Sequence, residues 1–192
     1  MNIEERLDEI EKIIREPSFL KNWGLGNEVG YFIFDYDPKY EIQVRNKVKY
    51  LKNKINESSK YDFKILEFDL YDIIIDILNQ KGYLNKTFEF EEKKGRDFAK
   101  KAVTKMLKLS SNSNLIVNYI KNRIEPNSVV FITGVGKAYP IVRSHNVLNN
   151  LHQQIDSIPV IMFFPGNYSG NDLVLFNTIK DGNYYRAFPL VD

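Results

Sequence analysis

Two aspartates follow a dense apolar run early in the chain, in the string FIFDYDP. Asp35 and Asp37 have the spacing of phosphohydrolases that use one Asp as nucleophile and a second, two positions later, as acid and base. That chemistry also needs downstream carboxylates, because two carboxylates alone hold Mg²⁺ poorly. The chain offers no acid pair just after Phe164, and Pro38 follows Asp37 directly. The sequence therefore favours Asp37 as a helix cap over a catalytic acid.

A glycine-rich turn, TGVGKAYPIVRSH, begins at residue 133 and invites comparison with a phosphate-binding loop. Such a loop reads G-x-x-x-x-G-K-[ST], so that backbone N–H groups surround the phosphates and a hydroxyl holds magnesium. Here Phe131 stands in place of the first glycine and Ala138 in place of the hydroxyl. The pattern favours a tight strand-to-helix turn that needs the backbone freedom of glycine. The residues that could still hold an anion at this turn are Gly134, Gly136, Lys137, Arg143 and His145.

Several reaction types are excluded by residues that the chain lacks or has in small number. Cysteine is absent, so a thiol nucleophile, a disulfide framework and a thiolate metal site are impossible. The two histidines, His145 and His152, are too few for a multi-histidine metal site. Ser144 adjoins His145, but neighbouring side chains seldom point at each other and no orienting acid is evident. We expect no metal, no cofactor and no catalytic residue, and hence a protein that is not an enzyme.

A basic helix face is the candidate site for nucleic acid. Arg45, Lys49 and Lys52 recur at helical spacing and could meet phosphates. Glu41 and Glu57 flank them, and a solvated mixed face is the more common meaning of such a pattern. The formal net charge of +2 does not mark the chain as a nucleic-acid binder. DNA or RNA binding is therefore an alternative and not the leading interpretation.

Length and composition fit one packed domain in the cytoplasm. The 192 residues include 43% hydrophobic and 14% aromatic side chains, which is enough for a core. The N-terminal string MNIEERLDEIEKII is acidic and amphipathic, unlike a secretory signal. No apolar run approaches the roughly 20 residues that a membrane span needs. We expect a single α/β domain over residues 1–192, which begins with an amphipathic helix over about residues 1–16 and makes no contact with membranes.

Apolar strands alternate with amphipathic helices along the chain. Four strands are apolar on both faces, which indicates a mainly parallel sheet covered by helices on both sides. They are predicted over residues 29–34, 63–68, 129–133 and 160–164. Two further strands, over 173–178 and 185–190, flank a Lys-Asp-Gly-Asn turn and predict an antiparallel hairpin at the edge of the sheet. The predicted fold class is a three-layer α/β domain with a C-terminal hairpin.

The carboxyl ends of the strands are the expected place for a binding surface, because ligands of such sheets bind there. Three segments fall at those ends, over residues 35–39, 133–144 and 165–170. We expect them to share one surface. Its aromatic and arginine side chains are candidate contacts, since these residue types anchor interfaces well. They are Tyr139, Arg143, Tyr168 and Arg186.

Four long strings occur in a recognisable order. They are GLGNEVGYFIFDYDP over residues 24–38, FITGVGKAYPIVRSHNVLNNL over 131–151, MFFPGNYSG over 162–170 and YYRAF over 184–188. Together they resemble BrxB of the BREX phage-exclusion systems, over nearly the whole chain. Strings of this length are far more specific than a short phosphate motif. The strand and helix order also resembles a P-loop ATPase core that has lost its phosphate loop.

The resemblance to BrxB implies a setting and no particular reaction. BREX systems combine a DNA methyltransferase, an ATPase, the phosphatase-like protein PglZ and smaller components, of which BrxB is one. The resemblance thus implies an assembly subunit that binds other BREX proteins, PglZ foremost, with DNA reached indirectly through the complex. A homo-oligomer is compatible with it.

Two alternatives remain open at this point. The first is a regulatory subunit that binds a nucleotide or phosphate through Asp37, Lys39, Gly136 and Lys137. The second is a component that binds DNA or RNA through the basic helix face described above.

Overall fold

Seven strands form one sheet in the computed structural model, which describes residues 1–20, 30–111, 113–180 and 187–191. The strands are β1 (Tyr31–Tyr36), β2 (Lys64–Asp69), β3 (Ser128–Thr133), β4 (Val160–Tyr168), β5 (Leu173–Leu175), β6 (Ile179–Lys180) and β7 (Phe188–Pro189). Five of them run parallel in the order β2-β3-β4-β1-β7. The remaining two, β5 and β6, are antiparallel and extend from the end of β4.

Helices lie on both faces of the sheet. They are α1 (Ile3–Ile14), α2 (Pro17–Leu20), α3 (Glu41–Asn56), α4 (Leu70–Gln80), α5 (Leu84–Lys94), α6 (Arg96–Leu107), α7 (Leu115–Lys121), α8 (Val135–Ala138) and α9 (Ser144–His152). A 3-10 turn, Pro38–Tyr40, precedes α3. One core contains α1 and α3, and the other contains α4 and α6 to α9. The prediction of an α/β fold with a mainly parallel, helix-covered sheet is confirmed.

The face that carries α1 and α3 shows how local sequence builds these elements. The Asn2 side chain caps α1 by accepting the Glu5 N–H, and the Glu5 carboxylate accepts the Asn2 N–H in return. Two otherwise free donors at the helix start are thus satisfied. Leu51 of α3 is fully buried against the sheet. There it shares a core with Phe131 of β3 and Phe163 of β4, whose rings meet edge to face at 5.0 Å. Packing of these rings fixes α3 above the strand ends where the candidate residues lie.

The predicted C-terminal hairpin is wrong in its pairing. Strand β7 lies parallel to β1 at the edge of the sheet, with Phe32 opposite Phe188. Strand β5 turns back onto the end of β4, with Gly166 opposite Leu175, and β6 then pairs with β5. Strand β4 is longer than β1 beside it, so the backbone groups at its end need a partner, which β5 supplies. Strand β1 would otherwise have an open edge, and β7 pairs with it there. The turn predicted between the two strands falls largely on residues 181–186, outside the described part.

Helix α5 is an element that the hydrophobic pattern does not predict. It buries no side chain, and hence its sequence carries no apolar stripe that faces the core. With α6 it forms a helical hairpin within the connection from β2 to β3, and the Phe90 and Phe98 rings meet edge to face across it at 5.4 Å. Of the helices that the structure describes, none has both the length and the apolar character to cross a membrane.

Candidate functional site

The segments at the carboxyl ends of the strands lie against one another. Tyr36, the last residue of β1, is in register with Pro165 of β4. The Tyr168 N–H donates to Asp35 Oδ2 at 2.9 Å, which joins the first segment to the third. A Cβ on Gly136 would lie 3.2 Å from Pro165 Cγ, so the second segment packs on the third. Residues 35–39, 133–144 and 165–170 thus form one surface, called the carboxyl-edge surface below.

Asp35 is held within the fold by both of its carboxylate oxygens. Arg6 of α1 donates to Asp35 Oδ1 at 2.8 Å and to the Asp35 carbonyl at 2.8 Å. The same guanidinium lies 3.3 Å from the Val191 carbonyl, and the Tyr168 N–H occupies Asp35 Oδ2. The Arg6 and Asp35 side chains are each 19% exposed. This candidate residue therefore joins four segments of the chain and offers little to a ligand from solvent.

Asp37 and Lys39 are engaged with each other. The Asp37 side chain accepts the Lys39 N–H at 3.1 Å and caps the 3-10 turn, as the cap interpretation of the sequence expects. Lys39 Nζ lies 3.2 Å from Asp37 Oδ2. That backbone hydrogen bond, followed by the ammonium, lowers the pKa of Asp37. Both residues are exposed, so the pair is a local solvated contact.

Lys137 is paired with carboxylates at the start of α4. Its Nζ lies 2.5 Å from Asp69 Oδ2 and 3.8 Å from Asp72 Oδ1. Asp69 also caps α4, because its Oδ1 accepts the N–H of the next residue but one. Gly134 has φ +70°, and a Cβ there would lie 2.2 Å from Asp69 Oδ1. Glycine is thus required for the approach of the Asp69 carboxylate, and a phosphate would have to compete with that carboxylate for Lys137.

Phe176 packs against Gly136 of the carboxyl-edge surface and is counted as part of that surface below. The sequence prediction misses this residue. It occupies the left-handed region at φ 52°, followed by Asn177 at φ 59°, in the turn between β5 and β6. The Thr178 N–H closes this turn on the Leu175 carbonyl at 3.1 Å. Two positive φ values suit a hairpin turn that normally takes Asn and Gly. The one local signal is Asn177, which the prediction of a strand over 173–178 overlooks.

The ring of Phe176 is exposed on one side and packs against Gly136 and Tyr139 on the other. It is 37% exposed. A Cβ on Gly136 would lie 2.9 Å from its Cε1, so glycine is needed for the ring to rest there. Tyr139 meets the ring edge to face, with 6.5 Å between centroids. A bulky aromatic residue rarely adopts the left-handed conformation, and here the turn presents one to solvent.

Arg143 and His145 lie at the start of α9. Arg143 is the residue before the helix and is exposed, whereas His145 is half-buried in its first turn. Arg143 and Tyr139 line the same small apolar pocket of about 20 Å³, which is bounded by Leu175 of β5. Tyr139 therefore contacts the Phe176 ring and also shares this pocket with Arg143.

The other two aromatic and arginine candidates differ from these. Tyr168 is 8% exposed, and its hydroxyl lies 2.9 Å from the Gly170 carbonyl and 2.6 Å from the Ala187 carbonyl. It thus secures the last described segment to β4 and presents little surface to a partner. Arg186 lies outside the described residues.

The basic face of α3 is largely neutralised by carboxylates. Arg45 Nε lies 2.7 Å from Glu41 Oε1, and Lys52 Nζ lies 3.0 Å from Glu67 Oε2. Lys49 is exposed and forms no ion pair within the described part of the chain. Carboxylates beside these cations would repel a phosphate backbone, so the arrangement is a poor match for nucleic acid.

A cleft of about 320 Å³ separates α3 from the carboxyl ends of β2 and β3. Phe163 contributes apolar surface, and the Thr133 hydroxyl donates to Glu67 Oε1 at 3.2 Å on one wall. On the other wall the Tyr36 hydroxyl donates to Glu41 Oε2 at 2.5 Å. Burial, followed by this hydrogen bond to Glu41, raises the pKa of Tyr36. Among the described residues, no group of three or more His, Asp or Glu side chains could hold a metal ion.

Comparison with known proteins gives the family. The family model described as "BREX protein BrxB" matches residues 66–190. The chain belongs to the BrxB family. A BREX protein BrxB from Bacillus cereus (strain H3081.97) is 55% identical over 191 residues, which cover 99% of this chain and 98% of that relative. A BREX protein BrxB from Escherichia coli O9:H4 (strain HS) is 37% identical over 191 residues, which cover 98% of this chain and 92% of that relative.

The match to the BrxB family model begins in β2 and ends just after β7, so it includes most of the carboxyl-edge surface. Both relatives extend the similarity to α1 and β1. No solved structure matches the chain. Membership makes this chain a component of a BREX system, with other BREX proteins as its expected partners.

Proposed function

We propose that this BrxB-family chain is a non-catalytic assembly subunit that binds another BREX protein, PglZ foremost, through the carboxyl-edge surface. The anchors of that contact are Phe176, Tyr139 and Arg143. The observation that carries the proposal is the exposed Phe176 ring, held in a costly backbone conformation at the tip of the β5–β6 turn.

The conformation of Phe176 argues for a role beyond folding. A residue other than glycine in the left-handed region costs about 1–2 kcal/mol, and Asn tolerates that region better than Phe does. A partly exposed ring gains less from burial than a core ring, so the turn gains little stability from Phe176. Aromatic and arginine side chains that surround a pocket are typical anchors of protein interfaces. Tyr139 and Arg143 supply them beside Phe176.

The charged candidates support binding over catalysis at this surface. Asp35 is bonded to Arg6, Lys39 to Asp37, and Lys137 to Asp69. Each charged group already has an opposite charge within reach, which leaves none of these three pairs poised as a nucleophile, base or phosphate ligand. The hypothesis that the chain is not an enzyme rests on this arrangement and stays a proposal.

The test is co-expression with a tagged PglZ, followed by measurement of the amount of this chain that is recovered. Phe176→Asn keeps the turn and removes the ring. Relief of backbone strain offsets the loss of about 1–2 kcal/mol of ring burial, so we expect stability close to that of the unmodified protein. We expect recovery to fall at least tenfold, as for the loss of an interface anchor worth about 2 kcal/mol. Arg143→Glu should reduce recovery similarly.

The matched control is Phe88→Asn, which removes an even more exposed ring, 59% exposed, from helix α5. It should leave recovery unchanged. Recovery with PglZ that is equal for the Phe176→Asn, Arg143→Glu and unmodified chains would rule out this surface as the contact.

A nucleotide- or phosphate-binding regulatory subunit is the second candidate, and the cleft between α3 and the strand ends favours it. Its volume falls within the range of small-molecule sites, and Lys49 and Arg45 line its rim. A ligand that binds only the folded state raises the melting temperature. A titration with ATP and magnesium, compared with Lys49→Glu as a cleft variant, tests this. No rise at millimolar ATP removes the second candidate.

A more specific proposal, that the fold is related to P-loop ATPases, rests on analogy alone. A sheet whose first strand lies between its fourth and last strands fits a P-loop-like core in which the Asp37 cap and its 3-10 turn replace the phosphate loop. A solved structure of a BrxB-family protein, compared with P-loop ATPases, is the test. The single-domain organisation and the cytoplasmic location stay predictions.

A further inference from the structure

The α5–α6 hairpin has one face that packs on the rest of the protein and another that does not. Helix α6 buries Ala99, Val103 and Leu107, which recur every four residues, and Val103 and Leu107 join the core that contains α4. No side chain of helix α5 is fully buried, and Leu84 packs only partly against that core. The hairpin therefore exposes most of its surface, although it is firmly attached through α6.

The hairpin is the strongly basic part of a nearly neutral chain. Residues 84–108 contain seven lysines and one arginine against three glutamates and one aspartate, a net charge of +4. The whole chain has a net charge of +2, so the remaining residues together carry −2. Positive charge is thus concentrated on this one element.

On α6 the positive charge is aligned. At 100° per residue, Phe98, Lys101, Lys105 and the helix-ending Lys108 fall on one side, directly opposite the buried stripe. All four are exposed, and Phe98 is 40% exposed. Lys94 of α5 extends the same stripe, because its Nζ lies 4.5 Å from the centre of the Phe98 ring. These five residues are called the α6 basic stripe.

The lysines of the α6 basic stripe lack carboxylate partners, unlike most of the other basic candidates. Within the described residues, Lys94, Lys101, Lys105 and Lys108 form no ion pair, although Lys100 beside them is 3.9 Å from Asp97. By contrast, Arg45 and Lys52 of α3 and Lys137 of the glycine-rich turn are paired with carboxylates, as described above. Bare lysines can release counterions when they meet phosphates, which is the main source of affinity for nucleic acid.

We propose that the α6 basic stripe binds the phosphodiester backbone of nucleic acid without sequence preference. Successive lysines lie roughly 4.5 or 6 Å apart along the helix axis, because three or four residues separate them. Such a row of point charges suits a repeating phosphate chain better than the mixed surface of a folded protein. The Phe98 ring among the lysines adds a face on which a base can stack. This inference goes beyond the assembly role proposed above and uses a different surface.

Fluorescence anisotropy of the full chain with labelled oligonucleotides, single-stranded and duplex, tests the inference over a range of salt concentrations. The variant carries Lys101→Glu, Lys105→Glu and Lys108→Glu. We expect its affinity to fall at least tenfold. We also expect the slope of log affinity against log salt concentration to become less negative by roughly 2 to 3, which is the contribution of three phosphate contacts. The two oligonucleotide forms show which geometry the stripe prefers.

The control reverses three exposed lysines outside the stripe, with Lys60→Glu, Lys81→Glu and Lys121→Glu. It changes the net charge by the same amount, so equal weakening would show a diffuse effect of charge and overturn the proposal. Unchanged affinity in the stripe variant would overturn it as well. Loss of a co-purified BREX protein with unchanged oligonucleotide binding would assign the stripe to an acidic protein instead. Thermal melts of both variants, and the milder Lys→Gln triple variant, verify folding.

Discussion

The guanidinium of Arg6 donates to both the Asp35 carboxylate and the Asp35 carbonyl, each at 2.8 Å, across 29 positions of the chain. The second oxygen of that carboxylate accepts the Tyr168 N–H, and Arg6 also reaches the Val191 carbonyl. One ion pair thus fixes the first helix, the first strand, the end of β4 and the C-terminal segment relative to each other. The carboxyl-edge surface has its shape because these four segments meet here.

Asp35→Asn should destabilise the fold and leave the charged side chains at other surface positions unchanged. The amide cannot accept from Arg6 and Tyr168 at once, and it leaves the half-buried guanidinium without its counter-charge. We expect a loss of about 2–3 kcal/mol in the free energy of unfolding, measured by urea denaturation. Glu89→Gln removes a carboxylate from a pair with Lys93 in which both side chains are exposed, and it serves as the control, with little or no measurable loss. Equal effects of the two variants would contradict the structural role of Asp35.

Tyr168→Phe tests the attachment of the last described segment to β4. Its hydroxyl is within hydrogen-bond distance of the Ala187 and Gly170 carbonyls in a nearly closed environment. Removal of the hydroxyl leaves those carbonyls without this donor, and we expect a loss of about 1–2 kcal/mol in unfolding free energy. Tyr119→Phe is the control, because its hydroxyl bonds to Asp76 at the surface. A melting temperature that is lowered as much by Tyr119→Phe would sink this assignment.

Gly136→Ala should displace the Phe176 ring, since the new methyl group would lie 2.9 Å from Cε1 of that ring. We expect a destabilisation of about 1–3 kcal/mol, typical of overpacking. In the double variant Gly136→Ala/Phe176→Ala the clash is absent, so most of this cost should vanish. A double-mutant cycle by urea denaturation measures the coupling between the two positions. Additive effects would show that Gly136 is required for another reason.

Alkaline pH should weaken the fold through two buried tyrosines. Burial raises the pKa of Tyr31, and burial together with the hydrogen bond to Glu41 raises the pKa of Tyr36, both above the ordinary 10.0. Below that value both states keep the phenolic proton and this stabilisation is complete. Above it only the unfolded chain loses the proton, so stability falls as pH rises, by about 1.4 kcal/mol per pH unit for each tyrosine.

Urea denaturation at several pH values between about 9 and 11 measures this dependence. Tyr36→Phe should make the fall with pH shallower, because the variant has one fewer group that ionises on unfolding. The exposed Tyr50→Phe is the matched control and should keep the slope of the unmodified chain. A slope that Tyr36→Phe leaves unchanged would show that other groups cause the alkaline loss.

Local signals in the sequence predict the elements well. The apolar stripe of α3, the dense apolar strands and the caps at Asp37 and Asp69 are each legible within a few residues, since cap and periodicity are short-range properties. The grouping of the strand ends also follows from the parallel arrangement. These local signals do not predict helix α5, because none of its side chains is fully buried. They do not predict the exposed position of Phe176, because its conformation depends on the turn that β5 and β6 form.

The sequence by itself determines the family, the alternation of strands and helices, and the absence of any cysteine chemistry. These follow from residue identity and local spacing alone. Tertiary structure decides which charged side chains form ion pairs within the fold and which face solvent unpaired. Arg6 meets Asp35, Lys137 meets Asp69 and Lys52 meets Glu67, whereas the lysines of the α6 basic stripe meet no carboxylate of the described chain. Such pairings join residues far apart in the chain, so only the packing of the sheet and its helices can specify them.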